Sequence, residues 1–326
     1  MNKRIFLKCL LIAFATIAPS LTCLVSAQTF PNKPIRIVIG FPAGGPLDLH
    51  ARLLADKLQT VLGQAVLIDY KAGAGGTVGA QDVMKSAPDG HTLLMGANTM
   101  LMASQMYKNV GFDPVKDFAP VSMAAYGSLM LVANPKTGIK SLADLIKEAQ
   151  AKPGAISFGS PGVGTPHHLS MELFKNTAQV FLTHIPYRGT GPAVTDLLGG
   201  QVDTMFLPIH VALPHIRSGR LIALGIGSDK RHALLPDLPT LLEAKAGNVN
   251  VDMWYGIFAP KGTPADIVTK LNAEINKIVN TAEVKAIWAK QGAAPMSMSA
   301  PVFAKYVIED VAKWATIVKV SGAKAD

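Results

Sequence analysis

The chain has 326 residues, 49% hydrophobic and 16% charged, with a formal net charge of +9. Its length suits about two domains. Its two cysteines, Cys9 and Cys23, both fall in residues 1–27, so the rest of the chain has no disulfide, no thiolate nucleophile and no cysteine-bound zinc. Lys and Arg are scattered and aromatics are few, which leaves no basic stripe for nucleic acid.

Residues 1–27 read as a secretory signal. Lys3, Arg4 and Lys8 precede an apolar run from Leu10 to Val25, and Val25-Ser26-Ala27 supplies a cleavage site before Gln28. The run is short and contains Pro19, which fits a membrane anchor poorly. The signal carries three positive charges and no acid, which leaves +6 (+9 less 3) on the exported chain. The expected location is the periplasm.

Beyond it, short apolar runs alternate with amphipathic stretches. Strands are predicted at 34–39, 65–69 and 91–95, with helices at 46–62 and up to about 86. The rhythm restarts with a strand at 129–133, a helix at 141–151 capped by Ser141, and a strand at 156–158. A helix through Asn176 follows, then strands at 181–185, 202–206 and 221–225 and a helix at 192–198. This alternation indicates parallel βαβ units. From Thr263 only helices are expected, at 264–280, 282–291 and 301–320. In the last, Phe303, Val307, Val311, Trp314 and Val318 form an apolar stripe that should pack on a sheet. The fold class is therefore α/β, with two doubly wound lobes and the C-terminal helices packed on the first. The expected division is 28–127 with 250–326, and 128–249. Chain crossings near 124–129 and 249–254 make a hinge, with a cleft between the lobes.

Three glycine-rich turns join strands to helices. In Phe41-Pro42-Ala43-Gly44-Gly45-Pro46-Leu47-Asp48, Gly45 can cap the helix and Asp48 is the acid of its first turn. The exposed amides and the helix dipole favour an anion; a tight turn needing glycine is an equally good reading. Lys71 to Gly79 misses G-x-G-x-x-G, and no acid follows the next strand near Gly96 to Asn98, so a dinucleotide site is rejected. Gly159 to Pro166 lacks the lysine of a phosphate loop but offers amides and the hydroxyls of Ser160 and Thr165, which suit a carboxylate. Phe158 spoils a nucleophile elbow around Ser160. Adjacent His167 and His168 point to different helix sides and cannot share a metal. No cofactor and no metal are expected.

These turns, with Pro88-Asp89-Gly90-His91, Asp117-Phe118-Ala119-Pro120-Val121, Pro186-Tyr187-Arg188-Gly189, Asp196-Leu197-Leu198-Gly199-Gly200 and Leu235-Pro236-Asp237-Leu238-Pro239-Thr240, occur in one register. In that register the chain resembles the tripartite tricarboxylate transporter substrate-binding proteins, also called the Bordetella uptake gene family. The resemblance implies a type II periplasmic binding protein that closes on a small carboxylate and delivers it, as a monomer, to integral membrane transporter subunits. It points to Phe41, Ala43, Gly44 and Gly45, with Asp48 beside them, and to Gly75, Gly76, Asn98 and Thr99 on one lobe. On the other it points to Ser160, Gly164, Thr165 and His167, with Tyr187, Phe206 and Leu207 completing the pocket. Tyr70-Lys71-Ala72 stands where the family commonly has Asn-Arg-Pro. Leu207 stands where an acid is frequent, which suggests an apolar or aromatic carboxylate rather than an amino acid, with a di- or tricarboxylate as the other expected ligand. A sensor for a membrane receptor and a hydrolase on the same scaffold remain alternatives. Thr165→Val and Gly44→Val are expected to weaken binding without altering ligand-free stability.

Overall fold

The computed structural model describes residues 30–107, 109–249 and 251–323. The signal read at residues 1–27 lies outside them.

The first sheet is built from Ile35–Ile39 (β1), Val66–Tyr70 (β2) and Thr92–Ala97 (β3), in the order β2-β1-β3 and parallel throughout. β1 and β3 are nearly continuous apolar runs because helices cover both faces. Helices Pro46–Leu62 (α1), Thr77–Met84 (α2) and Thr99–Met106 (α3) follow β1, β2 and β3 in turn. Next to β3 lies antiparallel Asp252–Pro260 (β9), and next to that Phe118–Ala133 (β4).

β4 is the structural axle. Its residues 118–128 pair with β9; its residues 129–133 pair instead with Thr204–Pro208 (β7) and Ile222–Gly227 (β8). β7 is flanked by parallel Ser157–Ser160 (β5), and β5 by Thr183–Pro186 (β6). One 16-residue strand thus runs out of one βα unit into another. The returning chain comes back beside it, where Val251 N–H donates to Gly227 C=O and Leu129 N–H to Val251 C=O.

The second unit carries helices Leu142–Ala151 (α4), Pro166–Ala178 (α5), Thr190–Gly199 (α6) and Ile209–Arg217 (α7). Ser141 caps α4 by accepting the Asp144 amide, as its sequence promised. After β9 come Ala265–Val279 (α8), Ala282–Gln291 (α9), a two-residue strand Ala294–Pro295 (β10) on the edge of β4, and Ala300–Ser321 (α10). Phe303, Val307 and Trp314 of α10 are buried, while Val311 and Val318 are half-buried at the margin of the stripe. Phe303 meets Trp254 and Phe258 of β9, so these helices sit on the first unit. A second core, around Met130, Leu197, Met205, Leu207 and Ile226, belongs to the other unit.

Candidate functional site

Four strand-to-helix corners meet where the two units face each other. α1 begins at Gly45 and Pro46, α3 at Thr99, α5 at Thr165 and Pro166, and α6 at Gly189 and Thr190. Each Pro at the first helical position has no amide to lose there and a φ already suited to the helix. Together the corners enclose an inner cavity lined by Phe41, Pro42, Gly45, Leu47, Asp48, Thr99, Pro161, Thr165, His167, Thr190, Gly191 and Met253. Among the described residues, no protein acceptor takes the amides of Leu47, His167 or Gly191. These are first-turn amides at the positive ends of helices with 17, 13 and 10 residues, so the cavity favours an anion.

An outer cavity of about 590 Å³ adjoins it, lined by Phe41, Pro42, the loop 72–76, Tyr107, Pro161–Val163, Tyr187 and Arg188. Gly75, Gly76 and Thr99 also line a small pocket behind Phe41. The two units touch across this gap. The Tyr107 hydroxyl donates to the Val163 carbonyl at 3.2 Å, and a side chain at Gly189 would meet Pro42 at 3.0 Å.

The structure brings together Phe41, Gly45, Asp48, Thr99, Thr165 and His167 in the inner cavity, and Gly75, Gly76 and Tyr187 in the neighbouring ones. It does not bring the other seven. Ala43 and Gly44 are exposed on the loop. The Gly44 amide, expected to be free for a ligand, is held by Asp48 Oδ2 at 2.8 Å. The Gly164 amide is likewise taken, by His168 Nδ1 at 3.2 Å. Ser160 is wholly buried and its hydroxyl pairs with His184 Nε2 at 2.6 Å, holding the loop onto β6 rather than facing a solute. Asn98 donates to the Asp252 carbonyl at 2.6 Å. Phe206 and Leu207 are fully buried and line none of these cavities, because β7 turns these neighbours to opposite faces, Phe206 into one core and Leu207 into the other. The apolar or aromatic preference inferred from Leu207 therefore loses its basis.

Asp48 proves to be a girder. It accepts from the Gly44 amide, from the Tyr70 hydroxyl at 2.6 Å and from Arg52 Nε at 2.8 Å. Burial alone would raise its pKa, but the bonds from Tyr70, Gly44 and Arg52 hold it below the ordinary value. This network explains Tyr70 at its unusual position.

His167 is buried, and neither ring nitrogen has a partner. Burial, with His210 nearby, pushes its pKa down to about 3, so it presents a neutral imidazole with one N–H to give. His168 turns the other way and stacks on His184 at 4.1 Å. The residues that sequence reading missed are Pro42, Leu47, Pro161, Thr190, Gly191, Tyr107 and Arg188. The Gly189 corner, a glycine between a strand and a helix, was a signal that could have found Thr190 and Gly191.

The chain matches the model of the "Tripartite tricarboxylate transporter family receptor" over residues 50–323. It belongs to this family. Protein BugT of Bordetella pertussis is 38% identical over 302 residues, covering 92% of this chain and 93% of BugT. Among solved structures, Rpa4515 of R. palustris with adipate has a TM-score of 0.87 at 31% identity, with coverage of 90% of this chain and 99% of that one. MatC (Rpa3494) of Rhodopseudomonas palustris with bound malate has a TM-score of 0.84 at 33% identity, with coverage of 89% and 100%. The fold is that of periplasmic solute-binding proteins, and the family is one of solute-binding proteins. Among the described residues, no helix is long and apolar enough to cross a membrane.

Proposed function

We propose that this receptor-family protein is exported through a cleaved signal and captures a small carboxylate for the membrane subunits of a tripartite transporter, without catalysing a reaction. The lobes are 28–127 with 250–326, and 128–249. One observation carries the reading: helix starts from both lobes converge on a single cavity whose buried His167 has no protein partner. A carboxylate there accepts from first-turn amides of α1, α5 and α6 and from the imidazole, while the Thr165 hydroxyl donates to the Gly162 carbonyl at 2.7 Å and holds the loop. A charged acceptor gains about 1.5–3 kcal/mol per bond, so three such bonds approach the roughly 8 kcal/mol of a micromolar complex. The outer cavity has room for the rest of the solute, and exposed Arg188 at its wall suits a second carboxylate. The neighbours solved with adipate and malate make four- to six-carbon dicarboxylates the first candidates.

Thermal-shift and calorimetric titration against mono-, di- and tricarboxylates tests this. At least one acid should raise the melting temperature in a concentration-dependent way. Its affinity should fall at least tenfold in His167→Phe. Absence of binding by every acid in the series would sink the reading.

A further inference from the structure

Seven buried polar atoms in one region of the molecule have no protein hydrogen-bond partner among the described residues. They are both ring nitrogens of His50, of His167 and of His210, and the hydroxyl of Tyr255. The rings of His50, His210, Tyr255 and Trp288 pack edge-on or tilted against each other. His50 lies 5.1 Å from His210 and 4.4 Å from Tyr255, His210 lies 5.9 Å from Tyr255, and Trp288 closes over His50 at 5.3 Å. All four titratable residues are at most 4% exposed. Most buried polar groups in proteins are satisfied, so a set like this calls for an account.

The members come from both sides of the molecule. His50 stands on α1, Tyr255 on β9 and Trp288 on α9; His210 stands on α7 and His167 on α5. The cluster is therefore mortar between the two units, directly behind the inner cavity that His167 lines. Among the described residues, no carboxylate acts on its three histidines. The groups acting on His50 and His167, other than burial, come from His210, and burial alone acts on His210. The charged residues of the surrounding elements are engaged elsewhere or in solvent. Asp48 pairs with Arg52, Lys57 with Glu283, Glu172 with Lys175, and Lys313 faces Asp252. Asp56, Arg217, Lys285 and Lys290 are exposed, His168 stacks on His184, and His215 is half-buried near Arg220.

We propose that this histidine cluster makes the seam between the two units acid-labile: neutral rings let the seam stay shut, and proton uptake by them drives it open. A protonated imidazole in this place is a charge on a side chain at most 4% exposed, with no carboxylate beside it among the described residues. Parting the units gives the same ring water. Burial pushes His210 down to about 4, His167 to about 3, and His50 also well below the ordinary 6.5. The sign follows directly. The open state binds protons near 6.5 and the shut state only well below that, so proton binding costs the shut state nothing at neutral pH. The shut state loses ground as pH falls through that window, tenfold per pH unit for each proton taken up. For solute release at low pH this consequence rests on the binding reading above; the seam itself does not.

Amide hydrogen exchange of the ligand-free protein, corrected for intrinsic rates, tests the seam without any solute. Between pH 6 and 4.5, protection of α7 and α9 should fall at least tenfold per pH unit, while β1 and β3 stay protected. In His50→Leu/His210→Leu that fall should shrink by at least tenfold per pH unit. Protection of α7 and α9 that ignores pH, an equal loss in β1 and β3, or the same slope in a folded double variant would each overturn the proposal. The wild-type profile decides the matter even if the double variant does not fold.

Discussion

Gly44 and Asp48 show how one residue's job changes when its neighbours are known. Gly44 sits at φ 83°, with nothing within 4 Å of where a Cβ would stand. The strain of a left-handed L residue is then the whole cost of a side chain there, about 1–2 kcal/mol. Gly44→Ala is accordingly expected to lower ligand-free stability by that amount in a urea titration, contrary to the expectation from sequence that this position acts on binding alone. Asp48 is the larger effect. Asp48→Ala strands the Gly44 amide and the Tyr70 hydroxyl together and should cost about 2–4 kcal/mol, with Tyr70→Phe costing about 1. Because the pKa of Asp48 is held below its ordinary 3.8, its contribution is present above that value and is lost as pH falls through the lowered one. Urea midpoints at pH 7 and pH 3 should thus converge in Asp48→Asn relative to wild type. The motif marked this loop as important, but its amide bookkeeping was not legible. A helix-start acid and a ligand compete for the same N–H groups, and only coordinates show which one has Gly44.

At the scale of elements, the parallel strands and amphipathic helices could be read because their periods are unbroken. Residues 118–128 of β4, and β9, could not. β4 opens with Phe118-Ala119-Pro120-Val121-Ser122, and its pairing with β9 shifts register twice, between Pro120 and Ser122 and between Met123 and Ala125. Each bulge breaks the two-residue alternation on which a strand signal rests. α7 was hidden by Pro214 inside it, and α3 by its lack of a polar face, since Thr99, Met100, Leu101, Met102 and Ala103 are all buried. The apolar stripe of α10 was legible; the polar pin within it was not. Asp310 is buried and accepts from the indoles of Trp254 at 2.7 Å and Trp314 at 3.1 Å. Burial raises its pKa, against the pull of those two bonds and of Lys313. A raised carboxylate pKa means that stability falls as pH climbs from 3.8 through the raised value. Asp310→Asn keeps an acceptor for the indoles and removes the charge, so its stability at pH 7.5 should equal or exceed that of wild type, with that pH slope gone. Asp310→Leu leaves two buried N–H groups unpartnered and should cost about 2–5 kcal/mol. Chemical denaturation of the two variants across pH 4 to 8 separates charge from hydrogen bonding.

The whole molecule is two βα units strung on β4 and on the return into β9, so its lowest-energy motion is to part along the gap between them. What opposes parting is a short set of contacts: Tyr107 on Val163, Pro42 against Gly189, the residues around the inner cavity, and the His50, His210 and Tyr255 rings behind it. A solute that touches both sides adds to the shut state alone, which is how binding shifts such an equilibrium. Tyr107→Phe isolates the protein's own share. It deletes one hydroxyl-to-carbonyl bond at 3.2 Å, makes no cavity, and leaves every inner-cavity residue in place. One such bond is worth about 0.5–1.5 kcal/mol, and it exists only when the units meet. The variant should therefore release a bound dicarboxylate about 2- to 12-fold faster, by the same conversion of free energy to rate. Its association rate and its ligand-free melting temperature should be unchanged. Stopped-flow displacement measures the first and calorimetry the second. An unchanged release rate would mean that the bond is absent from the solute-bound state, and an equal loss of ligand-free stability would mean that it braces the fold rather than the closure.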